Sequence, residues 1–182
     1  VDTPGTRAVH LAGRAKSAAD NSVSSGTANP NPCQDDDYKL GSVTHSDPKI
    51  RQKAIDHHFE CIDIMNEIGS RDLKSWLADG SNYPGQSDMR ARQDRLTDSL
   101  AKIYARIGEN QRLVLESKFF EPAFYHTDVP DRGTSYDQEG AIGDRARVCP
   151  EPGPQAPGTK LAFTLIQYPH PGQSGPFHPT PP

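Results

Sequence analysis

One short apolar run with charged ends constrains the fold more than any other part of the chain. It reads Arg112, Leu113, Val114, Leu115, Glu116, Ser117, Lys118. Such a run is typical of a buried parallel strand whose carboxyl end carries polar side chains. Because strand side chains alternate with period two, we expect Glu116 and Lys118 on the same side. This pair can hold a divalent metal and orient a hydroxyl, or it can form a buried ion pair that closes the strand.

A long amphipathic helix is predicted before this strand, from Pro48 to Gly69. Asp47 is a good N-cap, Pro48 suits the first helical position, and Gly69 suits the end. Its buried face consists of apolar and small residues three or four apart: Ile50, Ala54, Ile55, His58, Phe59, Cys61, Ile62, Met65 and Ile68. His57 and Cys61 have a spacing that could hold zinc, but no further ligand lies nearby, which favours a surface histidine and a core cysteine.

The following segments repeat the same alternation. Asp72 to Gly80 is predicted to be a short strand that ends in a loop, and a second helix is predicted from about Asp88 to Gly108. Its buried face is marked by Leu96, Leu100, Ile103 and Ile107. Helix, strand, helix and strand at this spacing indicate βα units on a parallel sheet.

The chain after Lys118 gives weaker signals. We interpret Phe120 to Asp131 as a long loop with aromatic residues, and such loops often form substrate walls. Thr134 to Ile142 has weak helical character, and Ala146 to Cys149 could form another strand. Leu161 to Tyr168 is the last apolar segment.

Length and composition divide the chain into three regions. Its 182 residues suffice for one domain, but a complete (β/α)8 barrel needs about 250. Only 33% of the residues are hydrophobic, and ten of the seventeen prolines lie from Pro150 onward. We therefore predict a weakly ordered segment over residues 1–28, folded βα units over residues 29–149, and a proline-rich tail over residues 150–182.

Charge and cysteine content exclude several classes of function. The net charge of −4 comes with interspersed signs, so no basic stripe indicates nucleic-acid binding. No apolar run approaches the roughly 20 residues of a membrane span, and no secretory signal is visible. Cys33, Cys61 and Cys149 are far apart, which favours reduced cysteines in a cytoplasmic protein.

Several long segments of the sequence resemble bacterial L-rhamnose isomerases of the xylose-isomerase-like superfamily. They are Asn29–Asn31, Gln34–Ser42, Trp76–Gln86, Arg90–Leu96 and Phe120–Tyr125. The likeness extends from about residue 28 to residue 149 and fades at both ends. It implies a TIM barrel of parallel strands, of which this chain is an incomplete fragment.

The resemblance also implies aldose–ketose isomerisation of a small sugar with two divalent ions, usually Mn²⁺, and a homo-oligomer in the full-length family. By this resemblance Glu116 is a metal ligand and Lys118 is a catalytic lysine at the substrate. Trp76 matches a tryptophan that forms an apolar wall against the sugar. Two ions suit this chemistry because they polarise adjacent sugar oxygens.

The chain departs from the family pattern near its C-terminal end. Glu151 stands where the family has an aspartate ligand, and Gln155 stands where it has a histidine ligand of the second metal. His178 falls where the family has another histidine ligand, and Arg132 replaces a family tryptophan. The remaining aspartate ligands of the family fall after Pro182, so this chain does not complete two metal shells.

Three functions are compatible with these observations. The first is a sugar isomerase of the L-rhamnose type, of which this chain is a piece without activity of its own. The second is a non-catalytic truncated remnant, which Gln155 and the missing ligands favour. The third is a barrel fragment that acts through protein association, because an incomplete barrel exposes strand edges and should oligomerise or aggregate.

Overall fold

The computed structural model describes residues 13, 15–24, 26–121, 125–149, 151, 153 and 155–166. A helical stretch at residues 15–20 precedes the strands. The strands are β1 (Thr27–Ala28), β2 (Asp72–Trp76), β3 (Arg112–Glu116), β4 (Phe120–Glu121), β5 (Tyr125–His126) and β6 (Ala146–Cys149). The helices are α1 (Pro48–Ile68), α2 (Met89–Arg106), α3 (Arg132–Ile142) and α4 (Leu161–Ile166), with 3-10 turns at Pro32–Gln34 and Asp36–Leu40.

The main sheet consists of four parallel strands in the order β1-β2-β3-β6. Helix α1 connects β1 to β2, α2 connects β2 to β3, and α3 lies between β3 and β6. Parallel neighbours need such crossover connections, and the alternation of helix and strand confirms the βα units predicted from sequence. Strands β4 and β5 form a separate antiparallel ladder after β3.

The hydrophobic core lies between the helices and one face of this sheet. Leu73 of β2 and Leu113 and Leu115 of β3 belong to it and are fully or almost fully buried. They pack with side chains of α1 and α2, including Ile55, Ile62, Met65, Leu96, Leu100 and Ile103. Since side chains alternate along a strand, Lys74 and Glu116 lie on the opposite face. The helix-facing side is therefore apolar and the other side carries charge.

The ends of α1 agree with the prediction, whereas the end of α2 does not. The Asp47 side chain accepts a hydrogen bond from the backbone N–H of Lys49, and Gly69 adopts a left-handed conformation with φ 71°. Helix α2 ends at Arg106, two residues before the predicted Gly108. The reason is Ile107, which turns into an extended conformation with ψ 144° and is only 5% exposed.

Three later segments have more regular structure than their sequence signals indicated. The loop from Phe120 contains the β4–β5 ladder, because its backbone groups pair with each other. Helix α3 is regular and begins earlier than Thr134, since the Asp131 carboxylate accepts a hydrogen bond from the Thr134 N–H. The last apolar segment is helical over Leu161–Ile166, and its large apolar side chains are exposed.

The predicted three-region division remains a prediction, because much of residues 1–28 and 150–182 lies outside the described residues. Within the first region, Thr27 and Ala28 pair with Asp72 and Leu73 as an edge strand. Among the helices that the structure describes, none has the length and apolarity needed to cross a membrane.

Candidate functional site

The carboxyl ends of the central strands bring chemically active side chains into one row. Trp76 at the end of β2 pairs in register with Glu116 at the end of β3, which pairs with Cys149 at the end of β6. Register partners project to the same face of a sheet. Glu151 follows Cys149 by two residues, so the alternation carries it toward the same side as Glu116.

Glu116 is the centre of a buried charged cluster. Its Oε2 lies 2.6 Å from Nζ of Lys74, and the two side chains are only 11% and 7% exposed. The Glu116 carboxyl also shares a hydrogen bond with Glu151, which is 6% exposed. Burial raises the pKa of Glu116 to about 7, the Glu151 carboxyl adds to this rise, and Lys74 opposes it. Two adjacent carboxyls that share a proton are a place where a cation can replace that proton.

Lys118 and Trp76, two residues predicted from sequence, lie against each other. Nζ of Lys118 is 4.8 Å from the centroid of the Trp76 ring, in a cation–π contact. Lys118 follows β3 and does not belong to it, because the strand ends at Glu116. Glu116 therefore forms a buried ion pair, which was one of its two predicted roles, but its partner is Lys74. Lys118 packs on the indole ring instead.

The remaining predicted positions have different surroundings. Gln155 donates a hydrogen bond from Nε2 to the backbone oxygen of Glu151, 2.6 Å away, and so supports the segment that carries this carboxylate. Arg132 lies at the start of α3 with its guanidinium carbon 5.3 Å from the Tyr136 ring. His178 lies outside the described residues.

The zinc alternative at His57 and Cys61 gains no support. Nε2 of His57 is 2.7 Å from the backbone oxygen of Pro30, and Cys61 is part of the apolar core. In the described part of the chain, no group of three or more histidine, cysteine or acidic residues could hold a metal ion.

The sequence interpretation missed Lys74. It sits in the middle of β2, two residues before Trp76, and belongs to no recognisable motif. Only the period-two alternation of strand side chains could have indicated it, since that places Lys74 and Trp76 on one face. No other sequence signal predicts a charged residue in the interior of this buried strand.

The loops around the site are held by two further interactions that the sequence did not indicate. The Asp79 carboxylate accepts hydrogen bonds from the backbone N–H and hydroxyl groups of both Ser42 and Thr44, at 2.7–2.9 Å. The Arg92 guanidinium donates to both carboxylate oxygens of Asp128. Both acidic residues are buried, so these bonds fix the loops after β2 and after β5.

The β4–β5 ladder is attached directly to the loop after β2. The Tyr125 hydroxyl donates to the backbone oxygen of Ala78, and the Thr127 hydroxyl donates to the backbone oxygen of Lys118. Gly80 forms a bridge with Thr127. These contacts hold the backbone on both sides of the Trp76–Lys118 pair.

Glu116 and Glu151 fit a divalent cation as two of its ligands. Carboxylate oxygens are preferred by hard cations such as Mg²⁺ and Mn²⁺. Burial and the neighbouring Glu151 carboxyl raise the pKa of Glu116, because both disfavour its charged form. Such ions usually take six ligands, so further groups have to complete the shell.

Comparison with known proteins identifies two sequence relatives of the chain. No protein-family model matches the chain. It is 36% identical over 156 residues to a probable sugar isomerase of Rhizobium meliloti, covering 86% of this chain and 36% of the relative. It is 39% identical over 134 residues to a probable sugar isomerase of Mesorhizobium japonicum, covering 72% of this chain and 31% of the relative.

Solved structures show the same fold. A 3-keto-D-glucoside 4-epimerase from E. coli superposes with a TM-score of 0.65 at 11% identity, covering 86% of this chain and 59% of that chain. D-psicose 3-epimerase from Clostridium cellulolyticum gives a TM-score of 0.60 at 14% identity, covering 78% of this chain and 47% of that chain. The fold of the chain thus matches part of these TIM-barrel structures.

The chain spans about a third of the length of the curated relatives that it matches. By sequence the chain is similar to part of two probable sugar isomerases, and by fold it is similar to part of a sugar epimerase.

Proposed function

We propose that the chain is part of a metal-dependent sugar isomerase that interconverts an aldose and a ketose, of the L-rhamnose to L-rhamnulose type. The observation that carries this proposal is the contact between Glu116 and Glu151 at the strand ends, beside Trp76 and Lys118. The likeness to two probable sugar isomerases supports the reaction class.

Each residue has a distinct part in this proposal. Glu116 and Glu151 hold a divalent ion, of which Mn²⁺ is the candidate, and the ion when bound polarises the sugar oxygens. Lys118 is the catalytic lysine, which orients a sugar hydroxyl through its ammonium donors. Trp76 presents an apolar ring to the carbon face of the sugar and orients the Lys118 side chain.

The 182 residues alone are not expected to catalyse the reaction. Among the described residues, Glu116 and Glu151 are two candidate ligands, and no cluster of three acidic, histidine or cysteine side chains exists there. The relatives are more than twice as long, and the rest of such a barrel supplies further strand ends to the same lumen. We therefore propose that activity needs the rest of the barrel.

The first test is a calorimetric titration of the chain with Mn²⁺, alongside Glu116→Gln and Glu139→Gln variants. Glu139 is the matched control, because it is also a partly buried glutamate with a raised pKa but lies on α3 near Arg147. We expect Mn²⁺ binding that Glu116→Gln abolishes and Glu139→Gln preserves. Absence of heat, or heat indifferent to Glu116, would contradict the metal site, and binding would justify an isomerisation assay on L-rhamnose.

A second candidate function is association with another protein through the open barrel. In the described part of the chain, β1 and β6 each have one neighbour in the main sheet. Helix α4 adds an exposed apolar surface, which includes Phe163 at 59% exposure and Ile166 at 76% exposure. Such a surface favours association with another protein. Light scattering at micromolar concentration tests this candidate: oligomers support it, and a monodisperse monomer argues against it.

A further inference from the structure

Lys74 is a buried cation whose ion pair is made with a candidate metal ligand. The residue as a whole is 6% exposed, and it lies in the middle of β2. Its Nζ is 2.6 Å from Oε2 of Glu116. A lysine ammonium is strongly hydrated in water, so a buried position is stable only with a charged partner. The pair is therefore a defined part of the site.

The Lys74–Glu116 ion pair lies against a second carboxyl group, that of Glu151. Lys74 supplies one positive charge, whereas Glu116 and Glu151 together can carry two negative charges and share a hydrogen bond. A divalent ion that bound both carboxylates would sit beside the oxygen atoms that Lys74 already contacts. The Lys74 ammonium would repel a divalent ion at this carboxylate, because charge interactions grow as the local dielectric constant falls.

We propose that Lys74 is a positioning residue that acts as the resident cation of this site: its ammonium holds the Glu116 carboxylate in place and competes with a divalent ion for it. This inference rests on the proposed function, because the same two carboxylates bind the ion. Lys74 thus determines how tightly the chain binds a divalent cation. Its flexible four-carbon stem lets the ammonium withdraw when the ion enters.

The two roles of a buried lysine predict opposite outcomes for one substitution. If Lys74 served only to support the fold, its removal would loosen Glu116 and weaken cation binding. If Lys74 competes with the cation, its removal frees the carboxylate and strengthens binding. Replacing Lys74 by methionine keeps a similar unbranched stem and removes only the charge, whereas arginine keeps the charge.

The experiment is a calorimetric Mn²⁺ titration of the unaltered chain, Lys74→Met and Lys74→Arg. We expect Lys74→Met to bind Mn²⁺ about tenfold more tightly or better, and Lys74→Arg to bind no more tightly than the unaltered chain. Equal or weaker binding by a folded Lys74→Met chain would overturn the competition. Lys74→Gln is the second neutral variant, and far-ultraviolet circular dichroism checks that each protein is folded.

Glu116→Gln in the unaltered and Lys74→Met backgrounds separates this inference from the proposed function. If the unaltered chain and Lys74→Met bind Mn²⁺ with equal affinity, and Glu116→Gln abolishes binding in both, the metal site stands and the role of Lys74 is overturned. Tighter binding by Lys74→Met that Glu116→Gln abolishes supports both. Absence of binding in every protein at millimolar Mn²⁺ would overturn both.

Discussion

Strands β2 and β3 are joined by two ion pairs, one at their amino ends and one toward their carboxyl ends, and the two pairs differ in charge balance. At the amino end, Arg112 donates to both oxygens of Asp72 at 2.6 Å and 2.8 Å, one guanidinium matched to one carboxylate. At the carboxyl end, Lys74 faces Glu116, which in turn contacts Glu151. The first pair is complete as it stands, whereas the second contains an acid in excess.

This difference separates a structural ion pair from one that can exchange partners. A bidentate pair satisfies its donors and acceptors and gains little from another ion. A cluster of two acids and one amine keeps an oxygen surface that protons or metal ions can occupy. The same two strands therefore hold a closed ion pair at one end and the proposed cation-binding cluster at the other.

Removing Arg112 should have the largest effect on stability. Arg112→Met leaves the buried Asp72 carboxylate without its partner, a loss of about 3–5 kcal/mol for a fully buried pair. Because Arg112 is 37% exposed, we expect a smaller loss of about 2 kcal/mol in the free energy of unfolding. Urea denaturation measures this loss. Arg106→Met is the control, since Arg106 and Asp63 are both about half exposed, and an equal loss there would contradict the comparison.

The second-largest effect on stability is expected from a change of pH, which acts through Glu116 at the carboxyl end of β3. The pKa of Glu116 is about 7 in the folded chain and 4.5 in its reference state, so the folded protein binds more protons between these values. The contribution of Glu116 to stability is then fully present below pH 4.5 and is lost as pH rises through about 7.

Urea denaturation of the unaltered chain and Glu116→Gln from pH 4 to pH 8 tests this expectation. The stability of the unaltered chain relative to Glu116→Gln should fall as pH rises, because only the unaltered chain carries this titrating group. Parallel stability curves would show that Glu116 has no raised pKa and would remove the distinction between the two ends.

The smallest effect is expected from the cation–π contact beside the cluster. Lys118→Met removes the charge above the Trp76 ring, which should lower the free energy of unfolding by less than about 1 kcal/mol. Trp76 is the only tryptophan in the chain, so the tryptophan emission reports on the surroundings of this ring. We expect an emission change in Lys118→Met and none in Lys102→Met, whose lysine pairs with Asp98 on the surface. Unchanged emission would indicate that the contact does not persist in solution.

The alternation of elements could be predicted from sequence because its signals are local. The Asp47 cap, Pro48 and Gly69 define α1, and the apolar run from Leu113 defines β3. Their order then gives a parallel sheet, since βα units permit few other arrangements. The meeting of Trp76 and Lys118 at one edge follows from the same rule.

The composition of the charged cluster could not be predicted in this way. Lys74 belongs to no sequence motif. Its contact with Glu116 depends on the register between β2 and β3. The pairing of Asp79 with Ser42 and Thr44 joins segments more than 30 residues apart, which no local pattern records. The role of Glu151 came from family resemblance, and the structure adds only its proximity to Glu116.

The close fit at Gly80 has a consequence for how the chain can evolve. A Cβ atom at this position would lie inside van der Waals contact with the His126 backbone and the Tyr125 ring. The loop after β2 and the ladder after β3 therefore pack as one unit. An insertion that displaced either of them would require a matching change in the other, so we expect the residues of these two loops to change together among relatives.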